Sequence, residues 1–279
     1  MNSIHVSDLH GNRDKYQKLS RYIQQNLPEA VFITGDLLPN FYVTEPEEFV
    51  LSFLKPLLSE LKVNLKDNYP AIFVITGNDD PAAACGLIYE LDTRGLLTFL
   101  NNKTVDFKDY KIFGYPYVPP TPFQLKDWEK YDVSRYVPRG ALSPEEGYRT
   151  VEIPLNIIQH SIIKDDLSEI SIGLLNANKV IGLFHTPPIN SNLDKLIGNN
   201  INGQKEAVSA GSFAVRRFIE NTKPFITLHG HLHESTDLSS SWKDKIRDTY
   251  CFNAAHAGGE LAVIEFDTDE PGNAIRELI

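Results

Sequence analysis

Three times before residue 81 this chain builds a short apolar run, stops it on polar side chains, and follows it with a helical pattern. Residues 4–7 run into Asp8-Leu9-His10-Gly11-Asn12, residues 30–34 into Gly35-Asp36, and residues 71–76 into Gly77-Asn78-Asp79-Asp80. A strand followed by a helix, repeated in series, specifies an α/β architecture, and open sheets of that kind gather their sites at the carboxyl ends of the strands. Each of the three runs ends on residues able to ligate a metal. The repeat therefore constrains both the fold class and the place of any site.

The local signals agree with that outline. Asn12 is placed to cap a first helix, in which Tyr16, Leu19, Tyr22 and Ile23 share one face. A second amphipathic helix is expected over 47–61, with Pro56 kinking or dividing it. Pro81 suits the first turn of a third helix. Residues 104–113 read as a hairpin turning at Lys108-Asp109, and 154–178 as helical, with Ile157, Ile158 and Ile162 stacked against Leu155. A buried strand over 180–184 ends at His185. A helix over 209–221 leads into a strand at 225–228 that delivers Leu228-His229-Gly230-His231-Leu232-His233. Late strands are expected at 250–253 and 261–266, in antiparallel sense. Residues 114–150 break the pattern, being long, proline-rich and aromatic without helical or strand period. Such a stretch in a compact chain is expected to be a cap over the site.

The candidate ligands spread from residue 8 to residue 233 of a 279-residue chain, which favours one domain over two. A net charge of −10 with no basic run disfavours nucleic acid as a partner. No apolar run reaches membrane-spanning length, and Cys85 and Cys251 stand far apart in no metal-type spacing. With no secretory leader the expected location is cytoplasmic, with no membrane partner. The oligomeric state is not specified.

The polar residues that end the strands are Asp8, His10, Asp36, Asn78, His185, His231 and His233. Two carboxylates, an amide and four imidazoles suit Mn²⁺, Fe or Zn²⁺ and are wrong for a calcium cage. Seven ligands exceed the needs of one tetrahedral ion, so two ions sharing a carboxylate are implied. Of the other histidines, His5 reads as packed within the first strand and His160 as structural or exposed. His229 reads either as support for a neighbouring ligand or as simple packing.

In order and spacing, Asp8-x-His10, Gly35-Asp36, Gly77-Asn78, His185 and Gly230-His231-x-His233 resemble the calcineurin-like metallophosphoesterase family over nearly the whole chain. Any one motif is weak alone; five in series, each after an apolar run, are specific. The resemblance implies a four-layer α/β/β/α sandwich with an irregular cap insertion. It implies a first divalent ion held by Asp8, His10 and His233, a second held by Asn78, His185 and His231, and Asp36 bridging them. Mn²⁺ is the first expectation for both, with Fe or Zn²⁺ as alternatives. A hydroxide between the ions would attack phosphorus in line, with Asn78 close to a phosphoryl oxygen.

One position departs. The family usually carries a histidine after the Gly-Asn, held to protonate the leaving oxygen; here it is Asp79, followed by the usual acidic residue, Asp80. A carboxylate beside two cations is expected to stay ionised and to donate protons poorly. The expected substrates are therefore small-molecule phosphodiesters or activated, aryl or nucleotide-type esters. His256, in Asn253-Ala-Ala-His-Ala-Gly-Gly, is a minority candidate for the missing acid. In the cap, Arg139 or Arg135 could pair with phosphate, and Tyr117 could stack on the organic part of the ester; the competing reading is that these residues only close the core. The alternative for the whole chain is a catalytically weak scaffold that kept the fold. Seven intact ligand positions favour the enzyme.

Overall fold

The computed structural model of the protein describes residues 1–40, 44–175, 177, 179–199 and 203–279. Its frame is two six-stranded sheets packed face to face. The first contains β1 (Asn2–Val6), β2 (Ala30–Thr34), β3 (Ala71–Ile75), β4 (Thr98–Phe99), β13 (Ala262–Asp267) and β14 (Ile275–Leu278), in the order β14-β13-β1-β2-β3-β4. The second contains β5 (Thr104–Phe107), β6 (Tyr110–Tyr115), β7 (Val180–Phe184), β10 (Ile226–His229), β11 (Lys243–Ile246) and β12 (Thr249–Asn253), in the order β11-β12-β10-β7-β6-β5. A separate hairpin joins β8 (Lys195–Asn199) to β9 (Lys205–Ser209). The strands β1 to β4 run parallel to one another, as do β6, β7, β10 and β12, and the antiparallel pairings, β1 with β13, β13 with β14, β5 with β6 and β11 with β12, lie toward the edges.

Alternation along the strands builds three apolar layers from these two sheets. In β2, Val31 and Ile33 face outward, onto Tyr16, Leu19 and Ile23 of α1 (Arg13–Asn26), with Leu58 and Leu61 from a second helix. Ala30 and Phe32 face inward, into the layer between the sheets, where Phe32 stacks on Phe73 with ring centroids 5.5 Å apart. Phe266 and Phe252, 5.5 Å apart, continue that layer from one sheet to the other. Outside the second sheet, Phe113, Tyr115 and Phe184 pack against α6 (Ile163–Leu174) and α7 (Phe213–Thr222). The result is the expected α/β/β/α order.

Several local expectations hold. Asn12 caps α1, its side chain accepting from the Asp14 and Lys15 amides. The hairpin of β5 and β6 turns at Lys108-Asp109. The division expected at Pro56 takes the form of a π turn, Val50–Leu54, between α2 (Pro46–Phe49) and α3 (Lys55–Leu65).

Others are corrected. Pro81 does not enter a helix; it precedes a single 3-10 turn, Ala82–Ala84, that leads into α4 (Cys85–Thr93). Residues 154–178 are not one helix, and 176 and 178 lie outside the described residues. The stretch splits into α5 (Leu155–His160) and α6 at Ser161-Ile162, where the backbone becomes extended. Leu155 and Ile157 are exposed rather than stacked inside. Ser209 ends β9, and the helix expected from 209 begins at Phe213, capped by Ser212. The late strands do not pair with each other: β12 is parallel to β10 in one sheet, and β13 is antiparallel to β1 in the other.

Parallel strands point their carboxyl ends the same way, so β1, β2 and β3 from one sheet and β7 and β10 from the other all finish at one end of the sandwich. Asp8, Asp36, Asn78, His185 and His231 follow those five strands. No helix among the described residues is long and apolar enough to cross a membrane.

Candidate functional site

The loops that leave the strands are tied to one another by their backbones. Behind β1, the amides of Asp8, His10 and Gly11 donate to the carbonyls of Gly35, Asp36 and Leu37 behind β2, at 3.1, 2.7 and 3.0 Å. Across the sheets, the Gly230 amide donates to the His185 carbonyl at 2.9 Å, and the His231 amide to the Asp8 carboxylate at 3.1 and 3.2 Å. The turns are sharp enough to force left-handed backbone on residues that disfavour it. Asp8, His10, Asp36 and His231 have φ of 56°, 45°, 51° and 69°. Such conformations cost of order 1–3 kcal/mol each and collect at working sites. All four are sequence-predicted ligands.

Glycines let the loops approach. A Cβ on Gly77 would collide with the Asp36 carboxylate and lie 2.6 Å from the His185 ring; one on Gly35 would run into the same imidazole. The pairs Gly35-Asp36 and Gly77-Asn78 thus have a steric cause.

The side chains converge on one cluster. His233 Nε2 lies 3.1 Å from Asp8 Oδ1 and 3.4 Å from His10 Nε2. Asp36 Oδ2 lies 3.7 Å from His10 Nε2 and 3.4 Å from His185 Nε2. Asn78 Oδ1 is 3.0 Å from His185 Nε2, and the His231 ring is 5.1 Å from that of His185. Among the described residues, three groups have donor atoms within 4.8 Å of one another: Asp8, His10 and His233; Asp8, Asp36 and His185; and His10, Asp36 and Asp79. Asp8, Asp36, Asn78 and His185 form a buried floor, while His10, His231 and His233 make a mostly buried rim.

Electrostatics suit a cation. Burial opposes the charge on Asp8 and Asp36, yet the surrounding imidazoles hold both carboxyls below the usual range. Burial pulls His185 down, but Asp36 and Asp8 overcome it and lift its pKa to about 10. The His185 Nδ1 hydrogen-bonds the Thr34 carbonyl at 2.7 Å, turning Nε2 toward the cluster. Burial, reinforced by His185, pushes His231 down to about 3, leaving that ring neutral. The donors, oxygen and imidazole nitrogen together, fit divalent transition ions.

Asp79 sits at the edge of this group. Its Oδ1 accepts from the Asn78 side-chain amide at 2.8 Å, its Oδ2 lies 3.6 Å from His10 Nδ1, and its backbone amide donates to Asp36 Oδ1 at 2.8 Å. In the metal-free protein, burial and then Asp36 raise its pKa to about 6. His256 is not gathered in; its Nε2 is 3.3 Å from Glu260 Oε2. Neither arginine joins the cluster. Arg135 pairs with Glu145 at 2.9 Å and lies over the Tyr131 ring, and Arg139 is exposed. Tyr117 packs against Tyr115 and Trp128, with the Lys130 ammonium 4.1 Å above its ring.

The remaining histidines are resolved. His229 hydrogen-bonds the Thr186 carbonyl and the Thr227 hydroxyl and stacks on Phe184, which accounts for it as a packed residue. His5 pairs with the Thr34 hydroxyl, and exposed His160 with its own helix. Sequence reasoning missed the part played by Asp80. Its buried carboxylate accepts from the Leu37, Leu38 and Gly77 amides at 3.0, 2.7 and 2.8 Å, joining the loop of Asp36 to the loop of Asn78. The signal was its place after Asn78-Asp79, which said nothing of partners forty residues back.

A family model described as calcineurin-like phosphoesterase matches residues 1–235. Among solved structures, the protein TT1561 of Thermus thermophilus is similar at 13% identity with a TM-score of 0.58, covering 99% of this chain and 98% of that one. A dimetal phosphatase from Danio rerio is similar at 9% identity with a TM-score of 0.52, covering 95% and 92%. A sequence comparison with curated proteins finds no match.

Proposed function

The chain belongs to the calcineurin-like phosphoesterase family and is a metal-dependent phosphoesterase, and from that premise we propose a dinuclear enzyme for phosphodiesters and activated phosphoesters. The observation that carries the two-ion reading is Asp36 Oδ2, one oxygen placed 3.7 Å from His10 Nε2 and 3.4 Å from His185 Nε2. Around it, Asp8, His10 and His233 would hold a first divalent ion, and Asn78, His185 and His231 a second, with Asp36 shared. Mn²⁺, Fe and Zn²⁺ are each compatible with this mixed oxygen and nitrogen set, and Mn²⁺ is the first expectation. Divalent cations bound there supply Lewis acidity, acidifying a solvent molecule and drawing charge from phosphoryl oxygens.

The chain's own groups set the rest. Asp8 and Asp36 stay ionised, His231 stays neutral, and the glycines of both loops keep the floor closed. Asn78 carries an amide that can reach a phosphoryl oxygen while its carbonyl faces His185. Asp79 stands where the family's proton donor stands. Bound cations would hold it ionised, so a leaving group that departs unprotonated is favoured. His256, engaged with Glu260 away from the cluster, is the second candidate for proton donation.

Residues 114 and 115 close β6, and the irregular remainder of 114–150 acts in this reading as a cap on a single domain. Arg139 is exposed and so the freer of the two arginines to meet a substrate anion, Arg135 being paired with Glu145, and Tyr117 remains the candidate ring, with Lys130 over its face. The acidic chain favours a small-molecule ester over nucleic acid, and two free cysteines suit the reducing cytoplasm. Hydrolysis of aryl phosphodiesters and monoesters across several divalent metals tests the proposal. Mn²⁺-dependent turnover that is faster on the diester is expected. Folded protein inactive on every ester with every metal would overturn it and leave the scaffold.

A second expectation concerns protons. With a pKa lifted to about 10, His185 carries a proton at neutral pH in the metal-free protein, and Asp8 lifts His233 against the pull of burial. A ligating imidazole must be neutral, so loading the site releases protons. Apparent Mn²⁺ affinity should therefore rise with pH between about 6 and 8. Calorimetric titration in buffers of different ionisation enthalpy measures the protons released, with about one or more expected per chain.

A further inference from the structure

The cap touches the loop carrying Asn78 at several points, all within residues 80–83. The Trp128 indole Nε1 donates to the Asp80 carbonyl at 2.7 Å. The Ala82 amide donates to Asp127 Oδ2 at 2.8 Å, and the Ala83 amide to the Thr150 hydroxyl at 3.0 Å. Thr150 is itself bound to Asp127, through its amide at 2.9 Å and through its hydroxyl. Asp127 and Trp128 are buried, 3% and 8% exposed, so the indole bond to Asp80 is shielded from water, the bonds of Asp127 are partly so, and the Ala83–Thr150 bond lies at the surface.

The loop needs such an anchor. Between Gly77 and Ala84 its side chains are small except for Asn78, Asp79 and Asp80, and the first two face the cluster. Asp80 is the junction. Its carboxylate grips the Leu37, Leu38 and Gly77 amides on the inner side, while its carbonyl takes the cap's indole on the outer side. By contrast, Asp8, His10 and His233 are held by loops from β1 and β10 that bond to each other and to the loop behind β2.

We propose that Asp127 and Trp128 are positioning residues of the cap that fix the Asn78 loop, and through it one of the two ion positions. The inference rests on the dinuclear reading. On this proposal the position held by Asn78, His185 and His231 is complete only when residues 127 and 128 are docked on the loop behind Asn78. Partners of metal ligands that are not themselves ligands typically alter affinity about 10- to 100-fold, which sets the scale.

Mn²⁺ titration of the full chain, followed by calorimetry and by the spin-coupled paramagnetic signal of a manganese pair, tests this on wild type, Trp128→Phe, Asp127→Ala, Asp127→Asn and Asn78→Ala. Wild type should show two binding steps. Trp128→Phe and Asp127→Ala should each weaken one step by about 10-fold or more and leave the other unchanged. The weakened step should be the one that Asn78→Ala removes, and adding Trp128→Phe to Asn78→Ala should cost nothing further. Asp127→Asn, which keeps an acceptor oxygen toward Ala82, should recover part of the loss. Unchanged steps in both cap variants, or both steps weakened alike, would overturn the inference while the dinuclear reading stands. A wild type that takes up no second ion would overturn that reading, and this inference with it.

Discussion

Asp36→Asn should lower kcat/KM on an aryl phosphodiester by on the order of 10³-fold, about 4 kcal/mol of transition-state stabilisation. The substitution keeps the size and shape of the side chain, and an amide oxygen can still accept from the Asp79 backbone amide as Asp36 Oδ1 does at 2.8 Å. What it removes is the negative charge between His10 and His185, on the oxygen that faces both. If that oxygen serves both proposed ion positions, the loss should appear in metal binding as well as in rate. Wild-type protein should gain about 2.7 kcal/mol of stability at an Mn²⁺ concentration about 100 times its Kd, read as a rise in Tm. The variant should gain much less at the same concentration. A variant that keeps both the metal-induced rise and the turnover would show that Asp36 is not shared.

The strand ends were legible because a five-residue apolar run that stops on Asp, Asn or His is a signal local to a few residues. Val31 and Ile33 on one face and Phe32 on the other follow from strand period alone, and so does Asp36 at the mouth. That the two sheets bring His185 and His231 to the same end needed only parallel strands. Elements without a period were not legible. The edge strands β11 and β14 read Lys-Asp-Lys-Ile and Ile-Arg-Glu-Leu, and charge of that kind protects an edge while hiding it from any hydrophobic pattern. The pair β8 and β9 has no buried residue where its burial is described, only half-buried and exposed ones, and leaves no apolar alternation to read.

Within the site, the candidate ligands were visible and their supports were not. Asp80 binds amides at Leu37 and Leu38, and Trp128 binds a carbonyl at Asp80; each pair is joined by folding rather than by spacing. The same cause misplaced emphasis in the cap. Arg135 looks available in the sequence, but Glu145 ten residues on has already claimed it. His229 looked as good as its neighbours until Thr186 and Thr227 accounted for both ring nitrogens.

Asp79→His should raise turnover of alkyl phosphomonoesters by about 10- to 100-fold and leave aryl diesters nearly unchanged. The reason is the leaving oxygen. An alkoxide is a strong base and departs slowly unless protonated, and a positioned acid contributes roughly 10²–10⁴-fold, of which an unoptimised replacement should recover the lower part. An aryl oxide leaves without that help. Asp79 carries a pKa of about 6 in the metal-free protein because burial and Asp36 disfavour its charge. Divalent ions held beside it would reverse the balance and keep it ionised, so at neutral pH it would have no proton to give. An imidazole at the same place would itself be pushed down by the cations, but within reach of His10 and Asp36 it can still pass a proton near its ordinary range. The gain should therefore fall away as pH rises above about 7, whereas diester turnover should not show that fall. Equal rates for variant and wild type on alkyl monoesters, with both ions bound, would mean that the missing proton comes from elsewhere, and His256 would be the residue to test next.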